Sequence, residues 1–176
     1  MSEERIILNS TILNETKITL SSKPQKNNFF NFYFSPNMAI KLYNPRVSWI
    51  DECYPHKHIS FSFNKTLNMS LLNLLKHINT RLTNEYNTMS KVENNSLGSI
   101  YFEKDDTFYI KCYMPNFKAR YSIKYMDKED KPLDEYFKIP RVGCIYDAIV
   151  LDIRNIWKGN NKSGFNLELK QVYCNF

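Results

Sequence analysis

Glycine is scarce, at 4 of 176 residues, and neither a GxxxxGKS loop nor a GxGxxG fingerprint occurs. Without them the chain lacks the backbone cradles that hold nucleotide phosphates, which argues against nucleotide hydrolysis and dinucleotide chemistry. The four cysteines, Cys53, Cys112, Cys144 and Cys174, lie far apart with no CxxC pair, and the first residues, MSEERIILN, are charged. We therefore expect reduced thiols and an intracellular location. No apolar run approaches the roughly 20 residues that span a bilayer, no basic amphipathic helix is legible, and no membrane partner is expected. Internal repeats and low-complexity tracts are also missing.

Aromatic residues are abundant, with 12 Phe and 12 Tyr, and hydrophobic residues make up 43% of the chain. That is a folding composition and not that of a disordered tail. The net charge of +6 and a pI near 9.0 favour a polyanionic partner through counterion release. Abundant Asn, Lys, Ile and Tyr also fit an AT-rich genome, so placement carries more information than number.

Two neighbouring segments carry the most informative placement. In Thr107 to Met114, Phe108, Ile110, Cys112 and Met114 share one face, and Thr107, Tyr109, Lys111 and Tyr113 share the other, as alternation in a strand requires. In Lys118 to Met126, Lys118, Arg120, Ser122 and Lys124 alternate with Ala119, Tyr121, Ile123 and Tyr125. Tyr109 and Tyr113 beside Lys111, Lys118, Arg120 and Lys124 would offer flat rings to bases and positive charge to phosphates, which is the chemistry of a single-strand groove. The competing reading is a solvated sheet face, with Lys for solubility and Tyr for β propensity.

The rest of the chain frames these strands. Residues 1–28 read as an N-terminal arm or short hairpin, and residues 29–176 as a single nucleic-acid-binding domain. Phe29 to Phe34 is a first strand, turned by Ser35, Pro36 and Asn37; Met38 to Tyr43 and Arg46 to Ile50 form a second, bent at Pro45. Ile59, Phe61 and Phe63 mark a third. From Leu67 to Met89, Leu71, Leu74, Leu75, Ile78, Leu82 and Met89 recur at helical spacing. Leu97 to Phe102 begins another strand, and Cys144 to Trp157 and Phe165 to Cys174 close the chain as a hairpin, with Ile145, Ile149, Leu151, Ile153 and Trp157 on one face of its first strand and Phe165, Leu167, Leu169, Gln171 and Tyr173 on one face of its second. This order predicts a mainly β (α+β) fold: an oligonucleotide-binding-like five-stranded barrel with one helix between strands three and four. Another α+β sheet is the alternative.

Catalytic and metal chemistry find little support. Cys53, His56 and His58 supply three zinc-type ligands without a fourth. Asp105, Asp106, Asp127, Glu129 and Asp130 sit in turn-like polar segments rather than in a two-metal arrangement. No residue is placed to orient a Cys-His pair. No metal, cofactor or enzymatic activity is expected.

The run Val142 to Val172 resembles the closing hairpin of single-stranded DNA-binding proteins from phages, large DNA viruses and linear plasmids. Gly143, Ile153, Trp157, Gly164, Leu169, Gln171 and Val172 carry the resemblance. It implies an oligonucleotide-binding barrel that coats and protects single-stranded DNA during viral or plasmid replication, in the cytoplasm or nucleus of a host, with replication proteins as further partners. Those proteins commonly end in an acidic tail with a terminal aromatic. This sequence ends Cys174, Asn175, Phe176, which keeps the aromatic but not the acidity. Two rivals remain at this level: a viral interaction or scaffold protein gripping another protein through an aromatic sheet, and a binder of duplex DNA or of RNA.

Overall fold

The computed structural model describes residues 5–24, 30–51, 58–90, 97–117, 120–121, 123–133, 140–159 and 162–174. Among them are twelve strands and two α-helices: β1 (Arg5–Ile7), α1 (Ser10–Glu15), β2 (Thr19–Pro24), β3 (Phe30–Tyr43), β4 (Arg46–Ile50), β5 (His58–Asn64), α2 (Met69–Ser90), β6 (Phe102–Lys104), β7 (Thr107–Tyr113), β8 (Asn116–Phe117), β9 (Arg120–Tyr121), β10 (Lys124–Met126), β11 (Ala148–Lys158) and β12 (Ser163–Tyr173). The fold is mainly β with one long helix, as expected, but ten strands join one sheet rather than five. Its hydrogen-bonded order is β1-β3-β11-β12-β7-β5-β4, with β2 on β3, β10 on β12 and β6 on β7; β8 and β9 pair with each other. β1 runs parallel and β2 antiparallel to β3, so both ends of the N-terminal segment are sewn to the same strand, with α1 between them.

The turn expected at Ser35–Pro36–Asn37 is not formed. β3 runs through it, with a cis Ser35–Pro36 peptide. The ladders explain why a proline is tolerated there. β2 pairs β3 as far as Ser35 and β1 takes over at Asn37, while on the other edge Met38 faces Ile153 and Tyr33 faces Asn155. Proline thus sits in a bulge between partners, where its missing N–H breaks no regular ladder. The bend expected at Pro45 does occur: Asn44 takes φ 52°, and β3 gives way to β4.

α2 spans about six turns, with Leu72, Leu75, Ile78, Leu82 and Tyr86 fully or almost fully buried against the sheet. The expected stripe was rotated slightly. Leu71, Leu74 and Met89 lie at its edge, while Leu72 and Tyr86 are at its centre. A 3₁₀ turn at Thr66–Asn68 precedes the helix, leaving Leu67 outside. The helix follows β5 and leads to β6, where Leu97 to Tyr101 forms only a bridge from Leu97 to Ser163 instead of a strand.

Two bulges reset the C-terminal hairpin. Ile153 faces Leu167 and Asn155 faces Asn166, which makes Arg154 an extra residue; Val150 faces Gln171 and Leu151 faces Leu169, which makes Lys170 another. One extra residue exchanges the two faces of everything beyond it. Ile156 is therefore buried where Trp157 was expected, and Val172 where Gln171 was expected. The outer face of β11 is covered too, by a small second cluster of Ala39, Met126, Ala148, Val150 and Tyr173.

Candidate nucleic-acid interface

β7 divides its faces as its sequence implies. Phe108, Ile110 and Cys112 are buried, and Thr107, Tyr109, Lys111 and Tyr113 point outward. Burial pushes the Cys112 thiol well up, which leaves it a core residue and not a nucleophile. Antiparallel pairing places His58 opposite Tyr113, Ser60 opposite Lys111 and Phe102 opposite Tyr109. Trp49 of β4 faces Ser60 in turn. One outward face thus collects side chains from four strands.

Its geometry is that of a stacking platform with cations beside it. The Phe102 ring lies 4.8 Å from that of Tyr109 at an interplanar angle of 9°, and Phe102 is 52% exposed. Trp49 is 46% exposed, and the Lys111 Nζ sits 5.3 Å from its ring centroid. His58 meets Tyr113 edge-on at 6.0 Å. Glu103, beside Phe102, takes ion pairs from Lys65 at 3.0 Å and Lys76 at 3.7 Å, which tie β6 to the turn after β5 and to α2. The hydrogen bond from Lys65 is the main reason its carboxyl is held below the usual range.

The face continues into a cleft. β12 and β7 pair only at Glu168 and Tyr113. Toward the β11–β12 hairpin the space beside them forms two compartments of about 550 and 350 Å³ that share His58, Tyr113, Asn166 and Leu167. Phe102, Lys111, Trp157 and Phe165 line the larger and Arg154 the smaller. Trp157 is there because the bulge at Arg154 turns it out of the core, and because Gly164 lets the indole lie against bare backbone. A Cβ at Gly164 would stand 2.9 Å from the indole Nε1. Glu168, the carboxylate in the smaller compartment, is paired with Arg154 at 3.0 Å and also with Lys170. Lys158 and Lys162 flank the hairpin tip.

Of the six residues expected at the site, the structure brings together Tyr109, Lys111 and Tyr113. It separates Lys124, because the strand expected over Lys118 to Met126 is broken into β9 and β10, and β10 pairs with β12 at Gln171 to Tyr173, beyond the Tyr113 pairing. Arg120 and Lys124 therefore belong to different strands in different sheets. Lys118 lies outside the described residues, as do Cys53, His56 and Phe176, and of Arg120 only the backbone in β9 is described. Tyr109 is not an open platform; Phe102 covers one of its faces. The sequence held the signal for this. A two-residue turn at Asp105–Asp106 sets Lys104 against Thr107, and hence Phe102 against Tyr109. Trp49 and Trp157 carried no such local signal. Asp127, by contrast, is spent on its own loop, accepting from the Glu129 and Lys131 backbone N–H groups.

No family model matches the sequence, and no curated protein sequence matches it significantly. Solved structures do match in fold. A single-stranded DNA-binding protein from bacteriophage Enc34 superposes with a TM-score of 0.54 at 14% identity, covering 90% of this chain and 89% of that one. The same phage protein in complex with single-stranded DNA gives 0.51 at 15% identity, with 90% and 95% covered. Its C-terminal truncation gives 0.52 at 16% identity, with 90% and 92% covered. The chain therefore shares the fold of a phage single-stranded DNA-binding protein over nearly its whole length.

Proposed function

We propose that this chain binds single-stranded DNA, without catalysing a reaction on it, and coats it during viral or plasmid replication inside a host cell. The observation that carries the reading is the outward face of Trp49, Lys111 and the Phe102–Tyr109 stack, opening into a cleft lined by Trp157, Tyr113 and Arg154. Rings accept bases of any sequence, and the cations neutralise the backbone between them. The fold it shares with a phage protein solved in complex with single-stranded DNA supports the same reading.

Six of the ten strands make up an oligonucleotide-binding barrel of five in this reading. β3 and β4 count as one strand bent at Asn44–Pro45, followed by β5, β7, β11 and β12. The ladder from β3 through β11, β12, β7 and β5 to β4 then starts and ends on the two halves of that bent strand. In this reading the helix falls between the second and third barrel strands, and β1, α1 and β2 are additions to the single domain, with Leu13 of α1 and Leu8 and Ile18 of the connecting residues contributing to the same core.

Fluorescence anisotropy of a labelled oligo(dT) of about 30 nucleotides, long enough for site sizes of roughly 4 to 16 per barrel, tests the proposal. Binding that weakens with salt and resists competition by duplex is expected. Absence of binding at low salt, or equal competition by duplex, overturns it.

A further inference from the structure

Eight large hydrophobic residues are exposed among the described residues, and they are not scattered. Trp49 and Phe102 belong to the interface above, and Val142 and Ile145 lie on the connector before β11. The other four, Ile7, Tyr43, Leu67 and Met69, line one pocket of about 690 Å³ between the end of β1, the end of β3 and the start of α2. Leu67 is 83% exposed. Leu71 and Leu74 extend the apolar wall. None of the lining residues is shared with the cleft. A concentration of apolar surface of this kind marks an interaction site more often than a solvated face.

The charge at the pocket indicates what it takes. Its lining contains one charged side chain, Lys41, and no carboxylate. The Lys41 Nζ lies 4.2 Å from the Tyr173 ring centroid and 5.7 Å from that of Tyr43, and has no carboxylate partner among the described residues. A second copy of the chain in two-fold contact would set Lys41 against Lys41 with no acid between them, since such an interface presents the same patch twice. Nucleic acid would gain one phosphate contact and leave the apolar walls unused.

We propose that this pocket docks a segment of another protein that carries bulky apolar side chains and an Asp or Glu beside them, the carboxylate meeting Lys41. The site is independent of the nucleic-acid cleft.

The test is selection of random dodecapeptides displayed on a surface, panned against the full chain. Enriched peptides should combine apolar residues with an Asp or Glu. They should bind at least about tenfold more weakly to Leu67→Ser and to Lys41→Gln, and bind Trp49→Ala as they bind the unaltered protein. Because the Leu67 side chain is almost wholly in solvent, its replacement leaves the fold intact, which circular dichroism verifies. Failure to enrich any sequence, enrichment without acidic residues, or binding that survives Leu67→Ser overturns the proposal. So does a concentration-dependent dimer, seen by sedimentation, that Leu67→Ser dissolves, because a second copy would then be the occupant.

Discussion

The stacked pair Phe102–Tyr109 gives the sharpest test of the interface. With rings 4.8 Å apart and nearly parallel, Phe102 covers the face of Tyr109 turned toward it, so on that side a base stacks on Phe102. A base–aromatic stack is worth about 1 to 3 kcal/mol by alanine substitution, or roughly 5- to 160-fold in affinity. Phe102→Ala uncovers the Tyr109 ring, which becomes the new platform, so the loss should fall at the lower end of that range. Tyr109→Ala leaves Phe102 in place but without its backing and should also be mild. The double variant removes the platform altogether and should lose more than the two single losses combined, a non-additivity that a double-mutant cycle reads directly. The assay is oligo(dT) anisotropy at fixed salt, with thermal melts to establish that each variant is folded. If the double variant binds within twofold of the unaltered protein and melts normally, the platform does not contact DNA and the interface is misplaced.

Lys111→Ala should flatten the dependence of log affinity on log salt by about 0.7, whereas Lys124→Ala, on β10 and away from the cleft, should leave the slope unchanged; titrations at several salt concentrations distinguish them. Gly164→Ala forces a methyl against the Trp157 indole and should destabilise the fold by about 1 to 3 kcal/mol while weakening DNA binding, read by urea denaturation and anisotropy. Burial holds the Asp152 carboxyl above its usual range, with the Arg5 guanidinium at 3.0 Å pulling the other way. A carboxyl with a raised folded pKa costs stability as pH climbs from its unfolded value, about 3.9, through the folded one. The stability of the unaltered protein relative to Asp152→Asn should therefore fall over that window and then level off; a relative stability that rises with pH would mean that the Arg5 pair dominates.

Local periodicity accounts for what could be read in advance. The inward and outward faces of β7, the long helix and the C-terminal hairpin all follow from alternation or a 3.6-residue repeat over neighbouring residues, which no distant contact had to supply. The faces beyond Arg154 and Lys170 were not legible. A bulge depends on the register of the partner strand, and once present it inverts a pattern that still looks regular in sequence. The same limit applies to Ser35–Pro36, where turn chemistry is overridden because β1 and β2 divide the edge of β3 between them, and to Lys118–Met126, whose regular alternation is split between two sheets.

Composition and alternation alone make this an aromatic, basic, mainly β chain with one amphipathic helix, and put Tyr109, Lys111 and Tyr113 on one outward face. Strand pairing and its slips, by contrast, lay Phe102 over Tyr109, put Trp49 under Lys111, turn Trp157 out of the core into the cleft, and set Lys124 on β10 beside β12. Alternation along an unbroken strand sets the face of each side chain locally, whereas bulges, and with them membership of a site, depend on which strands pair and where their ladders slip.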